Sequence, residues 1–288
     1  MLHLEYKLKK ASDFEAQGKF LHAVQIYAGI IANDQNHSLA HIKLASLYDR
    51  MGNFNASIKL LKNYLQNISD DGEIRIYLGQ LFLKYSYWDE AIDVLSLFSP
   101  EEQPIHSFFL GYAHFMLKEY EIAIINFGNF LERSTNSEFK YEANIYIAKI
   151  HIELSSYEDA LLAAKKAEEI YSNSWEVYLI YGMIYYLKGM YFHSVTSIER
   201  ALKLNNKEVS LHEWAGKAYL KLGDYLSAEK HLTEYIENAE ASSEAYAFLG
   251  LACLNIQKLK DARGYFDMAL SLDPNNEIAA EGKKKCNV

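Results

Sequence analysis

Along the 288-residue chain, apolar positions recur at intervals of three and four, the period of a helix that buries one face. The periodic runs are short and come in pairs, split by breaks such as Gly18-Lys19, Gly52-Asn53, Gly189-Met190 and Gly223-Asp224. Glycine at such a break can take the left-handed conformation that ends a helix. The pattern predicts an all-α chain made of antiparallel helix pairs joined by tight turns.

A ruler laid on the small residues fixes the length of each pair. Ala11, Ala45, Gly79, Gly111, Ala148, Gly182, Gly216 and Gly250 are separated by 34, 34, 32, 37, 34, 34 and 34 residues. Twelve positions after each stands another small residue: Ala23, Ser57, Ala91, Ala123, Ala160, Ser194, Ala228 and Ala262. Three positions before these lie Phe20, Phe54, Trp88, Tyr120, Tyr157, Tyr191, Tyr225 and Leu259, seven of them aromatic. Small residues let two helix axes approach closely, and the rings fill the wedge beside the contact. A hairpin of this kind cannot shield both of its faces, so it must stack on its neighbours.

The pattern resembles the tetratricopeptide repeat, a 34-residue unit with the signature W-x2-L-G-x2-Y…A-x3-F…P. The last unit matches it best, through Tyr246, Leu249, Gly250, Ala262, Phe266, Ala269 and Pro274. The signature proline is missing from most units. The resemblance implies an α-α superhelix, or solenoid, of eight repeats at 4–37, 38–71, 72–103, 104–140, 141–174, 175–208, 209–242 and 243–276. These make one repeat domain over 1–276 with a short cap or tail at 277–288. The two irregular spacings place a deletion around 99–104 and an insertion around 134–140, both between units.

The same resemblance implies a concave groove lined by positions 2, 5, 9, 12 and 13 of each unit. Carried onto this chain, those positions give Ile76 and Leu83 in repeat three, and Ile105, Phe108, Tyr112, Phe115 and Met116 in repeat four. Repeat five gives Ile145, Lys149 and Ile152, and repeat six gives Leu179, Met183 and Tyr186. Outer repeats place Glu5, Ser12, Glu15, Asp49 and Arg50 there, and repeat seven adds Glu213, Lys217 and Lys221. An apolar patch rimmed by polar residues marks an interaction site. The expectation is a groove centred on repeats four to six that takes a peptide or an amphipathic helix. Phe108→Ala with Tyr112→Ala is then expected to abolish capture and leave helical content intact. The alternative is a self-assembling protein that forms homo-oligomers through its stack ends or its groove.

Composition narrows the partner. The chain carries 29 basic and 38 acidic residues, a net charge of −9, with the basic residues scattered among acids. That argues against nucleic acid, which calls for a basic stripe. Three prolines and 50% hydrophobic residues exclude a disordered chain. Two cysteines, Cys253 and Cys286, form neither a disulfide framework nor a CxxC metal pair, which fits a reducing, cytoplasmic setting. The first residues lack the apolar run of a signal peptide, and no segment reaches the length of a membrane span.

Candidate chemistry is sparse. His114 and His151 occupy slots where other units place an aromatic ring, and His41 and His212 occupy the signature tryptophan slot, so packing accounts for them. His212-Glu213 opens like a zinc-protease helix, but Gly216 stands where the second ligand belongs. No Walker-type loop, GxGxxG or GxSxG occurs. The expectation is a non-catalytic protein with no cofactor and no metal. Last, the second helix of the final repeat is expected to leave apolar surface uncovered around Ala269 and Leu270, favouring self-association or a longer native chain.

Overall fold

The computed structural model describes residues 2–97 and 103–286. Among them it contains seventeen α-helices and no strand. The first helices of the eight pairs are α1 (Leu2–Ala16), α3 (Ser38–Arg50), α5 (Gly72–Lys84), α7 (Pro104–Met116), α9 (Ser137–Glu153), α11 (Trp175–Leu187), α13 (Val209–Leu222) and α15 (Ser243–Asn255). Their partners are α2 (Phe20–Asn33), α4 (Phe54–Asn67), α6 (Trp88–Leu95), α8 (Tyr120–Arg133), α10 (Tyr157–Ile170), α12 (Tyr191–Leu204), α14 (Tyr225–Asn238) and α16 (Leu259–Leu272). A seventeenth helix, α17, spans Glu277–Lys285. The chain forms two compact units, Met1–Thr135 and Asn136–Val288. Each is an α-α stack of helix hairpins.

The small-residue ruler has a direct physical reading. A methyl group on Gly79 would meet the Leu95 side chain at 2.7 Å, one on Gly182 would meet Ile198 at 2.4 Å, and one on Gly216 would meet Leu232 at 2.5 Å. Gly111 and Gly250 receive Phe127 and Phe266 in the same way. Each large side chain stands sixteen residues after its glycine and is fully buried. Where the second small residue is serine, its hydroxyl donates to the carbonyl of the first: Ser57 to Ala45 and Ser194 to Gly182, both at 2.8 Å.

Every turn inside a pair contains one residue with positive φ. Gly18, Gly52, Gly189 and Gly223 fill four of these places; Ser86, Lys118, Ser155 and Gln257 fill the other four. The breaks that carry no glycine therefore adopt the same turn. Several helices then start on a side-chain cap, such as Asn53 to the Ala56 amide, Asp71 to Ile74, Asp224 to Ser227 and Asn276 to Ala279.

First helices of neighbouring repeats also touch one another, α3, α5 and α7 in the first unit and α9, α11, α13 and α15 in the second. The extra residues near 134–140 lengthen α9 to 17 residues, whereas α7 and α11 have 13. The deletion around 99–104 falls largely on residues outside the described ones. The final repeat departs from expectation. Helix α17 packs on α15 and α16, Ala269 is fully buried, and Gly282 lies so close to the Phe266 ring that a Cβ there would clash. Asn276 anchors the helix by donating to Ser243 Oγ, which donates in turn to the Ala269 carbonyl. Nine helical residues thus cover Ala269 completely, while Leu270 stays half-buried and Met268 and Leu272 remain exposed.

Candidate functional site

The thirteen groove residues fall on first helices in both units, and each set is described within its own unit. In the first unit Ile76, Ile105, Tyr112 and Phe115 are half-buried, Met116 is exposed, and Leu83 and Phe108 are buried. Phe108 packs edge-on against Phe109, Phe127 and Phe130. It joins α7 to α8, so Phe108→Ala removes core packing and cannot serve as a clean test of binding. Tyr112 lies edge-on to Trp88 and Phe115 sits beside Tyr120.

The polar groove positions of that unit are bonded to one another across repeats. Glu15 accepts from Tyr27 at 2.7 Å and from Arg50 at 2.8 Å. Asp49 accepts from Lys84 and Tyr85, both at 2.6 Å. Burial alone would raise Asp49, but these two donors outweigh it and hold its carboxyl below the usual range. Position 12 of one repeat therefore grips position 13 of the next.

In the second unit Ile145 and Ile152 are buried, while Lys149, Leu179, Met183 and Tyr186 are half-buried. A cavity of about 170 Å³ opens between α9 and α11, lined by Tyr141, Glu142, Ile145, Tyr146, Lys149 and Glu176. Two carboxylates and one ammonium group stand among its six lining residues. The Lys149 ammonium lies over the Tyr146 ring, 5.6 Å from its centre. The Tyr141 hydroxyl donates to Glu176 at 2.6 Å and also contacts Ser174. Burial pushes the Glu142 carboxyl up, and the neighbouring Glu138 and Glu176 push it further. A cation in this cavity would relieve that crowding.

Sequence reasoning singled out Ile145 and Lys149 of this cavity and passed over Glu142 and Glu176. Both stand at position 2 of their repeats, so the register itself carried the signal. Farther along, Lys217 bonds Glu213 at 2.7 Å and reaches Glu244 at 3.6 Å while lying over the Trp214 and Phe248 rings. Tyr186 packs against Tyr191 and Trp214.

Two of the histidines singled out by the repeat register have side-chain partners, whereas the buried Nδ1 of His151 has no hydrogen-bond partner. His41 packs on Tyr64, and His114 contacts Glu119 at 2.5 Å. Among the described residues, no group of three or more His, Cys, Asp or Glu side chains is placed to hold a metal ion. Burial pushes the Cys253 thiol up to about 11, away from the thiolate that reactive cysteines need. No helix among the described residues is long and apolar enough to cross a membrane.

Comparison with known proteins agrees with this architecture. The family model for the tetratricopeptide repeat matches residues 215–277. The BBSome complex member BBS4 of Bos taurus is 24% identical over 265 residues, covering 91% of this chain and 50% of that protein. Lipopolysaccharide assembly protein B of Escherichia coli strain K12 is 22% identical over 240 residues, covering 77% of this chain and 60% of that protein. The chain thus spans between half and two thirds of the length of these relatives. Among solved structures, a chain of the APC/C hetero-tetramer Cut9–Hcn1 superposes with a TM-score of 0.69 at 15% identity, over 97% of this chain and 55% of that one. YrrB, described as a TPR protein with an unusual peptide-binding site, gives 0.51 at 17% identity, over 68% of this chain and 97% of that one. At these identities the structural likeness speaks for the fold.

Proposed function

We propose that this chain, whose residues 215–277 match the tetratricopeptide-repeat model and whose fold serves protein–protein interaction, is a non-catalytic scaffold holding another polypeptide against its first helices. The bound segment lies over repeats five and six, where Lys149, Leu179, Met183 and Tyr186 keep part of their surface open. The observation that supports this reading is the cavity between α9 and α11, which three groove positions of one repeat and one of the next line together. Its make-up points to a segment that presents apolar side chains with a lysine or arginine beside Glu142 and Glu176. Ile76, Ile105, Tyr112, Phe115 and Met116 are the corresponding residues of the first unit and offer a second stretch of the same kind. Unpaired thiols at Cys253 and Cys286 suit a cytoplasmic setting.

The test uses peptides selected by display against the full chain. Met183→Glu or Glu142→Lys is expected to weaken the selected peptides at least about tenfold, in line with the loss of a central contact. Leu162→Glu, at an exposed position on α10, is expected to leave them unchanged. The reverse outcome would move the site to the second helices.

A further inference from the structure

Two histidines from successive helices meet inside the second unit. His212 Nδ1 on α13 lies 3.1 Å from His231 Nδ1 on α14, and the two ring centres are 5.2 Å apart. His231 is only 8% exposed. Its other nitrogen, Nε2, lies 3.5 Å from Glu199 on α12, a helix of the preceding repeat. The Tyr219 ring of α13 stacks on it at 5.5 Å, and the Tyr219 hydroxyl donates to the same Glu199 carboxylate at 2.9 Å. One imidazole therefore joins three helices of two repeats.

The geometry limits how many protons the pair can hold. Two nitrogens at this distance share one hydrogen: one ring donates and the other accepts. With both rings neutral, His212 can donate through Nδ1 while His231 uses its Nε2 hydrogen toward Glu199. One added proton can be housed by reversing the shared bond, with Glu199 as counter-ion. A second would point two N–H groups at each other between two positive rings, and the contact must break.

We propose that the His212–His231 pair is an acid-released latch between the two helices of repeat seven, closed at neutral pH and opened when the second proton arrives. The groups facing it are Glu199 from α12, Tyr219 from α13, and Lys230 from α14, whose charge opposes protonation of His231. Burial, then the neighbouring His212, hold His231 below the ordinary histidine range, with Glu199 acting in the opposite direction. A cavity of about 280 Å³ lined in part by Lys207, Val209, His212 and Glu234 opens beside the pair and gives solvent protons access.

The sign follows from linkage. Below about pH 6.5 the unfolded chain protonates both histidines, while the folded pair resists the second proton. Stability is therefore complete above that value and falls as the pH falls toward the depressed folded value of His231. For one proton of difference, the unfolding equilibrium constant rises about tenfold per pH unit.

The experiment is an NMR titration of the imidazole nitrogens in the full chain between pH 8 and pH 4.5, with amide hydrogen exchange followed in parallel. The expected result is two separated protonation steps for His212 and His231, with protection in α12 to α14 lost across the second. In His212→Gln the His231 step is expected to return toward the ordinary range and the pH dependence of exchange in α12 to α14 to flatten. If that variant fails to fold, the titration of the unaltered chain decides. Independent titration of both rings at ordinary values, or protection in α12 to α14 that does not change with pH, would overturn the latch.

Discussion

At the scale of single residues, the fold turns on who stands sixteen positions after whom. Gly182 takes the Ile198 side chain against its backbone, and no methyl group fits there without movement. Gly182→Ala is expected to lower stability by about 1–3 kcal/mol, the usual range for overfilling a packed contact. Combining it with Ile198→Ala should cost less than the sum of the two single changes, because the pair shares one contact. Urea denaturation of the four variants measures both effects. Phe108→Ala, which empties the site facing Phe127 and Phe130, is expected to cost about 3–5 kcal/mol and to show as a lower melting temperature. The small-residue ruler was legible without coordinates because spacing alone exposes it. The burial of Phe108 was not, since position 5 serves the groove in one repeat and the core in another. Which role it takes depends on the neighbouring helix, and here α8 brings two rings to it.

At the scale of helices and turns, the eight intra-repeat breaks share one backbone solution with two chemistries. A left-handed residue other than glycine carries a conformational strain of about 1–2 kcal/mol. Replacing Gln257 by glycine removes that strain but loosens the unfolded chain, so the net gain is expected to be about 0.5–1 kcal/mol. Gly223→Ala runs the other way and should lose about 1 kcal/mol. Thermal unfolding of both variants checks the pair of signs. Four of these turns announced themselves by glycine. The turns at Ser86, Lys118, Ser155 and Gln257 could be placed only through the repeat register. Helix α17 shows the limit of composition: Ile278, Ala279 and Ala280 followed by three lysines look too little to seal a repeat. The seal depends on Gly282, whose missing side chain lets the Phe266 ring fit against the helix.

At the scale of the molecule, a net charge of −9 and a cavity walled by Glu142 and Glu176 point the same way. Peptides that bind repeats five and six are expected to carry basic residues among apolar ones. Their affinity should fall as salt rises, because exposed charges more than about 8 Å apart are screened at physiological ionic strength. Titrations at low and high salt measure this, and a salt-independent affinity would mean that apolar contact alone holds the segment. The fold was readable from the chain because eight copies of one pattern corroborate each other. The binding face was readable only in outline, since Ile145 and Ile152 turn inward while Lys149 and Met183 stay open. A photoreactive benzophenone side chain placed at position 183 of the full chain, and separately at position 162, can be irradiated with the selected peptides and the adducts weighed by mass spectrometry. The prediction is abundant adduct from position 183 and little from position 162; equal yields, or an excess from 162, would contradict it.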